Sequence, residues 1–107
     1  MIEIEESSGN VYEDIGSREA TEMRIKAQLA SKIGGIIKAR HLTQAQAAEI
    51  LGISQPKVSD MLRGKFRGIS EAKMMDCLSR LGRDVQIIIK QAPRSRSAKG
   101  RVDVVCA

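Results

Sequence analysis

Apolar residues recur along this chain in two rhythms, and the change from one to the other divides it. From Ser17, the residues Ile25, Leu29, Ile33, Ile36 and Ile37 fall at steps of four, four, three and one, which lays a stripe along one face of a helix. Ser17 suits the N-cap, and Glu19 and Glu22 lie in the opening turns, where the helix dipole favours carboxylates. The pattern therefore predicts a helix from Ser17 to a basic end at Lys38, Arg40 and His41. Inside it, each glycine of the pair Gly34-Gly35 costs about 1 kcal/mol relative to alanine, a cost that points to close approach by a second helix.

Two short helices are expected next, over 44–51 and 55–63, with only Gly52, Ile53 and Ser54 between them. Ala47, Ile50 and Leu51 point the first inward, and Val58, Met61 and Leu62 the second. After a basic KFRG loop, Ser70 caps a fourth helix with Ala72, Met75, Leu78 and Leu81 on its inner face and Gly82 at its end. At 84–90 the rhythm changes. DVQIIIK is short, β-branched and bounded by turn residues, which predicts a strand, and Val102–Cys106 could form a second.

The expected fold is mainly α: a compact helical bundle containing a helix-turn-helix, plus a short C-terminal β-strand used in dimerisation. The chain has 107 residues, enough for one core. One Tyr, one Phe and no Trp leave Ala, Leu, Ile and Met to fill it, which favours closely packed helices. Residues 17–92 form the domain on this reading. Residues 1–16 are an acidic flexible segment, with Val11, Tyr12 and Ile15 as a possible anchor, and 93–107 a basic, largely flexible tail.

Charge sharpens the picture. The whole chain carries +5, yet residues 1–16 hold Glu3, Glu5, Glu6, Glu13 and Asp14 with no Lys or Arg, so the remainder carries +10. A domain this basic is a candidate for polyanions. Cys77 and Cys106 are far apart and His41 is the single histidine, so no metal-ligand spacing exists and no cofactor is expected. With no nucleophile-base pair or phosphate-cradling Gly loop either, an enzyme is the weakest reading. Neither a signal peptide nor a membrane span is expected, which implies a cytoplasmic protein.

The informative run is TQAQAAEILGISQPKVSDMLRG, Thr43 to Gly64. Two helices crossing steeply over a three-residue turn need a small residue near the crossing, here Ala48, and a left-handed residue four later, here Gly52. Ser54 can cap the second helix, and Pro56 sits early enough that its missing N–H is not required. Packed as a plain bundle, two such helices would have no reason to keep this spacing. The run resembles the helix-turn-helix of the Xre/Cro-repressor family, with Gln44, Ala48, Gly52, Val58 and Met61 matching its pattern. Together with the NVYEDIG start, the loop after the motif and GRDVQIIIK, residues 9–92 are similar to HigA-like antitoxins.

In this geometry the second helix lies in the major groove with its N-terminal residues toward base edges. With Val58, Met61 and Leu62 inward, the candidate base readers are Gln55, Lys57, Ser59 and Asp60. Gln55 leads, because a side-chain amide can accept from and donate to adenine together. Asp60 could accept from cytosine or pair with Arg63 or Lys57. Pro56 offers only apolar contact. Gln44, Arg63, Lys65 and Arg67 are the candidate phosphate contacts, and the resemblance implies that Gln44 also braces Gln55. Arg94, Arg96, Lys99 and Arg101 could add nonspecific attraction. A palindromic operator on double-stranded DNA would require a homodimer, for which Ile87, Ile88 and Ile89 offer a seam by pairing with a twin strand, the alternative partner for that strand being Val102–Cys106 of the same chain. The resemblance implies a repressor associated with the nucleoid, and by extension an antitoxin with a toxin partner that represses its own operon. The competing reading is a protein-interaction adaptor that neutralises a partner without DNA; an RNA binder would want stacking aromatics that this chain lacks.

Overall fold

The computed structural model describes residues 11–94 and 99–107, with side chains from Arg18 onward. The acidic start through Asn10, the side chains of Val11, Tyr12, Ile15 and Ser17, and Arg96 lie outside the described residues. Four helices follow in order: α1 (Val11–Ala39), α2 (Gln44–Leu51), α3 (Gln55–Leu62) and α4 (Glu71–Arg80). The described backbone divides into two compact units, residues 26–86 and residues 11–25 together with 87–94 and 99–107. Helix α1 runs through both.

Helix α1 opens at Val11, six residues before the Ser17 cap expected from sequence. Its stripe behaves as the spacing requires, since Ile25, Leu29, Ile33, Ile36 and Ile37 are all buried. The helix closes through backbone bonds from Arg40 N to Ile36 O (3.0 Å) and from Leu42 N to Ile37 O (3.1 Å). His41 makes that closure by taking φ 54, the left-handed conformation that glycine more often supplies at a helix end. The single histidine thus has a backbone role.

Within residues 26–86 the core is helical. Leu29, Ile33 and Ile37 of α1 join Ala47 and Leu51, Val58 and Met61, Phe66 and Ile69, and Met74, Cys77, Leu78 and Leu81 in burial. Helix α2 packs against both α3 and α4. Fully burying side chains such as Ile33, Leu51 or Met74 stabilises by roughly 1.5–3 kcal/mol each. The expected close approach at the glycine pair is present at one of its two positions. A Cβ built on Gly34 would stand 3.2 Å from Leu62 Cδ2, whereas one on Gly35 meets open space.

The inner face of α4 differs from the expected one. Met74, Cys77, Leu78 and Leu81 are buried, while Ala72 is exposed and Met75 half-buried. Successive steps of three fall 60° short of a full turn, so the series 72, 75, 78, 81 drifts off the face. Steps of three, one and three from Met74 hold it. Ser70 and Gly82 act as expected: Ser70 Oγ accepts from Lys73 N at 3.0 Å, and Gly82 takes φ 83 as Arg83 N donates to Leu78 O at 3.0 Å.

The strand at 84–90 does not form, nor does one at 102–106; among the described residues there is no β-strand. Ile87, Ile88 and Ile89 stand 77%, 77% and 93% exposed. Local β-propensity cannot close a ladder, because each N–H and C=O needs a partner strand and the single chain brings none alongside. Part of the tail is nonetheless fastened. Arg24 pairs with Asp103 at 2.6 Å and donates to Val102 O at 2.9 Å, and Arg101 approaches the same carboxylate at 3.5 Å.

Candidate nucleic-acid interface

The geometry of the site begins at Thr43. Its hydroxyl accepts from Gln46 N at 3.1 Å, and the Gln46 side chain accepts from Thr43 N at 2.9 Å, a reciprocal closure that satisfies two otherwise orphaned donors at the start of α2. Nine residues after Thr43, Gly52 takes φ 69 and ψ 30, and its N–H returns to Ala48 O. Ile53 N bonds the same carbonyl at 3.3 Å. Ser54 then resets the backbone to extended, and its hydroxyl accepts from Lys57 N at 3.3 Å. Pro56 occupies the first turn of α3, as its chemistry permits. Ala47, rather than Ala48, is the fully buried small residue of α2; Ala48 is half-buried.

This turn sends α3 out with one face covered. Val58 and Met61 are buried, whereas Gln55, Pro56 and Lys57 are exposed and Ser59 and Asp60 half-buried. Leu62, expected inward, keeps 38% of its surface exposed while covering Gly34. Of the two partners open to Asp60, the structure selects Arg63, at 2.7 Å, so both charges are engaged with each other at the end of the helix. Gln44 is exposed at the start of α2, and among the described hydrogen bonds none joins it to Gln55.

The loop after α3 alternates in burial. Lys65 and Arg67 are exposed on either side of buried Phe66, and Ile69 is buried beyond them. Gly64, at φ 84, starts the loop, and Ile69 N closes it onto Phe66 O at 3.0 Å. All four candidate phosphate residues therefore sit at the surface of the 26–86 unit, at the start of α2 and just after α3.

Two residues that the sequence reading passed over support this arrangement. The Arg80 guanidinium lies over Gly52, with Nη1 3.1 Å from where a Cβ would stand. It is held there by Asp76 at 2.9 Å, which also receives Lys73 at 3.3 Å. The hydrogen bonds from Arg80 and then Lys73 hold the Asp76 carboxyl below its usual range. A cation at this point also faces the negative end of the α2 dipole. The second residue is Lys26, buried in α1, whose Nζ donates to Arg67 O at 3.0 Å. Its signal was present: Lys26, Ala30, Ile33 and Ile37 share one helical face, and a charge on that face needs a partner. Cys77 is buried and burial pushes its thiol up, which marks it as inert packing. Among the described residues no cluster of His, Cys, Asp or Glu could hold a metal, and no helix is long and apolar enough to cross a membrane.

Two short helices joined by this capped, left-handed turn, with the second exposing its N-terminal polar residues, define a helix-turn-helix protein of the kind that docks on the major groove of DNA. A helix-turn-helix domain family matches residues 11–90. A solved structure described as a transcriptional regulator of the XRE family is 43% identical to this chain, with a TM-score of 0.79, and the match covers 83% of this chain and 99% of that one. This chain belongs to the XRE-type helix-turn-helix family. No curated protein matches it significantly.

Proposed function

We propose that this protein is a dimeric, sequence-specific repressor that binds a palindromic operator through α3. The observation that carries the reading is the start of α3, where Gln55 and Lys57 stand exposed on a helix whose other face is locked by Val58 and Met61. Gln55 reads adenine through its amide, with Lys57, Ser59 and Asp60 lining the same groove. Asp60 can serve there only when Arg63 turns from it toward a phosphate. Gln44, Arg63, Lys65 and Arg67 fix register on the backbone.

One such helix covers few base pairs, so two copies spaced about 34 Å apart supply useful affinity. The Ile87, Ile88 and Ile89 segment is the seam of that dimer, since a second copy would provide the ladder that one chain lacks. Likeness to the XRE-family regulator supports control of transcription in the cytoplasm, on the nucleoid. The HigA-like pattern over residues 9–92 extends the reading to an antitoxin that also represses its own operon and binds a toxin encoded beside it; co-purification with the product of an adjoining gene checks this extension.

The decisive test is binding to a duplex of about 30 base pairs from just upstream of the protein's own gene, against a scrambled duplex of the same composition. Gln55→Ala should weaken the specific complex by about 1–3 kcal/mol while leaving scrambled binding nearly intact. Equal losses on the two duplexes would remove Gln55 from base reading. A wild type that binds neither duplex would leave the adaptor reading in its place.

A further inference from the structure

Among the described residues, Lys26 is the one charged side chain buried in the core, at 4% exposure. Lysine is almost never this buried unless its ammonium has partners. One partner here is the carbonyl of Arg67, 41 residues away in sequence and 3.0 Å from Nζ. That carbonyl belongs to the loop between α3 and α4, which has neither helix nor strand to hold it. Gly64 and Gly68 flank its basic residues and loosen the backbone further. The loop is tied down from below at three points: the buried Phe66 ring, the buried Ile69 side chain and the Lys26 bond to Arg67. Phe66 and Ile69 fix where the loop lies. Backbone bonds from Lys65 N to Asp60 O (2.7 Å) and from Ile69 N to Phe66 O (3.0 Å) close the loop on either side. The Lys26 bond turns the Arg67 carbonyl between them, and with it the direction in which the exposed Arg67 side chain leaves the loop.

We propose that Lys26 is a positioning residue for DNA-backbone recognition: its buried ammonium holds the Arg67 carbonyl and so presets the direction from which Arg67 reaches a phosphate. It acts through the loop and touches no part of the duplex. The charge matters as well as the donor, since a charged donor bonds a carbonyl more strongly than a neutral one. This inference rests on the DNA-binding reading above.

The test compares Lys26→Met, which keeps much of the stem and loses the donor, with Lys26→Arg, which keeps charge and donors. The loop variant Arg67→Ala and the combination of Lys26→Met with Arg67→Ala complete the set. The readout is the slope of log affinity against log salt, on the upstream duplex and its scrambled counterpart. Each phosphate contact contributes about 0.9 to that slope, so Lys26→Met, which disturbs the Arg67 contact in both subunits of the dimer, should flatten it by roughly 1.8, equally on both duplexes. The loop variant should flatten it by the same amount, and the combination no further, while Lys26→Arg restores most of the loss. An unchanged slope, or losses that simply add, would overturn the proposal.

A second measurement needs no DNA and separates this inference from the reading it rests on. In free Lys26→Met, the Ile69 amide, bonded to Phe66 O, should exchange at least tenfold faster, while the Met74 amide, bonded to Ser70 O, keeps its wild-type rate. Equal acceleration at both amides would show a general loss of stability and overturn the positioning role. If wild type shows no salt-dependent binding to either duplex, the DNA reading fails even where this exchange pattern holds.

Discussion

The turn at residues 52–54 and the segment at 84–90 lie in one chain and solve opposite problems. At the turn, every element is closed by residues a few positions away. Gly52 N and Ile53 N share the Ala48 carbonyl, Ser54 caps Lys57 N, and Thr43 and Gln46 cap each other. At 84–90 nothing is closed: three consecutive isoleucines are exposed and the backbone joins no ladder. A helix satisfies its own backbone within four residues, so a short helix pair can be complete alone. A strand cannot, because its partners are always elsewhere. The first region therefore specifies a finished tool. The second leaves three isoleucines open, and we propose that a second copy covers them.

The comparison breaks most sharply at two isoleucines. Ile33 is wholly buried and Ile88 largely exposed. Ile33→Ala should destabilise the fold by about 2–5 kcal/mol, the range for deleting a buried branched side chain, read as a shift of the urea midpoint at unchanged slope. Ile88→Lys should leave that midpoint within about 0.5 kcal/mol when measured at concentrations where the wild type is monomeric. At higher concentration it should abolish the proposed dimer, with sedimentation as the readout. If Ile88→Lys sediments as wild type does, the exposed segment is not the attachment and the contrast between the regions loses its meaning.

How far each region could be read in sequence follows from the same physics. The bounds of α2 were legible to the residue and those of α3 to within one, because Thr43, Gly52, Ser54 and Pro56 are local signals acting on their immediate neighbours. The close approach at Gly34 was legible too, since a glycine inside a helix asks for a reason and Leu62 supplies it. The inner face of α4 was misread by a drift of phase, which one more buried residue at Cys77 would have corrected. The strand failed because seven residues of β-branched pattern state a preference and not a partner. Arg80 over Gly52 and Lys26 under Arg67 were missed for a related reason: both join positions 28 to 41 apart, and nothing near either residue names the other end. The charge expected to be shared at Asp60 illustrates the remainder, where sequence left two partners open and only coordinates chose Arg63.

The turn itself can be tested at Gly52, where two causes for glycine coincide. Its φ of 69 costs a residue bearing Cβ about 1–2 kcal/mol, and Arg80 Nη1 stands 3.1 Å from the added atom. Gly52→Ala should lose about that amount in thermal or urea unfolding. Because Arg80 is the end of a flexible chain, it can give way, but doing so loosens its bond to Asp76. The backbone cost should therefore persist in an Arg80→Ala background while the steric part vanishes, making the double variant less unstable than the sum of the two single changes. Strict additivity would mean that Arg80 only passes near the turn and does not brace it.

The smallest effect sharpens the reading of α1 rather than breaking it. Gly34 and Gly35 are adjacent in one helix and carry the same propensity cost, yet only Gly34 faces a neighbour. Gly35→Ala adds a methyl to open space, so it should stabilise by about 0.5–1 kcal/mol through helix propensity alone. At Gly34 the same gain is opposed by Leu62 Cδ2 at 3.2 Å. Leu62 is partly exposed and can shift by a few tenths of an ångström, so Gly34→Ala should fall near neutral and not become strongly destabilising. Urea midpoints of the two variants, measured side by side, separate the cases because the propensity gain cancels between them. The difference that remains is what Leu62 loses by moving. If Gly34→Ala gains as much as Gly35→Ala, then α3 does not rest on α1 at this point, and the face of α3 opposite Gln55 is held by Val58 and Met61 alone.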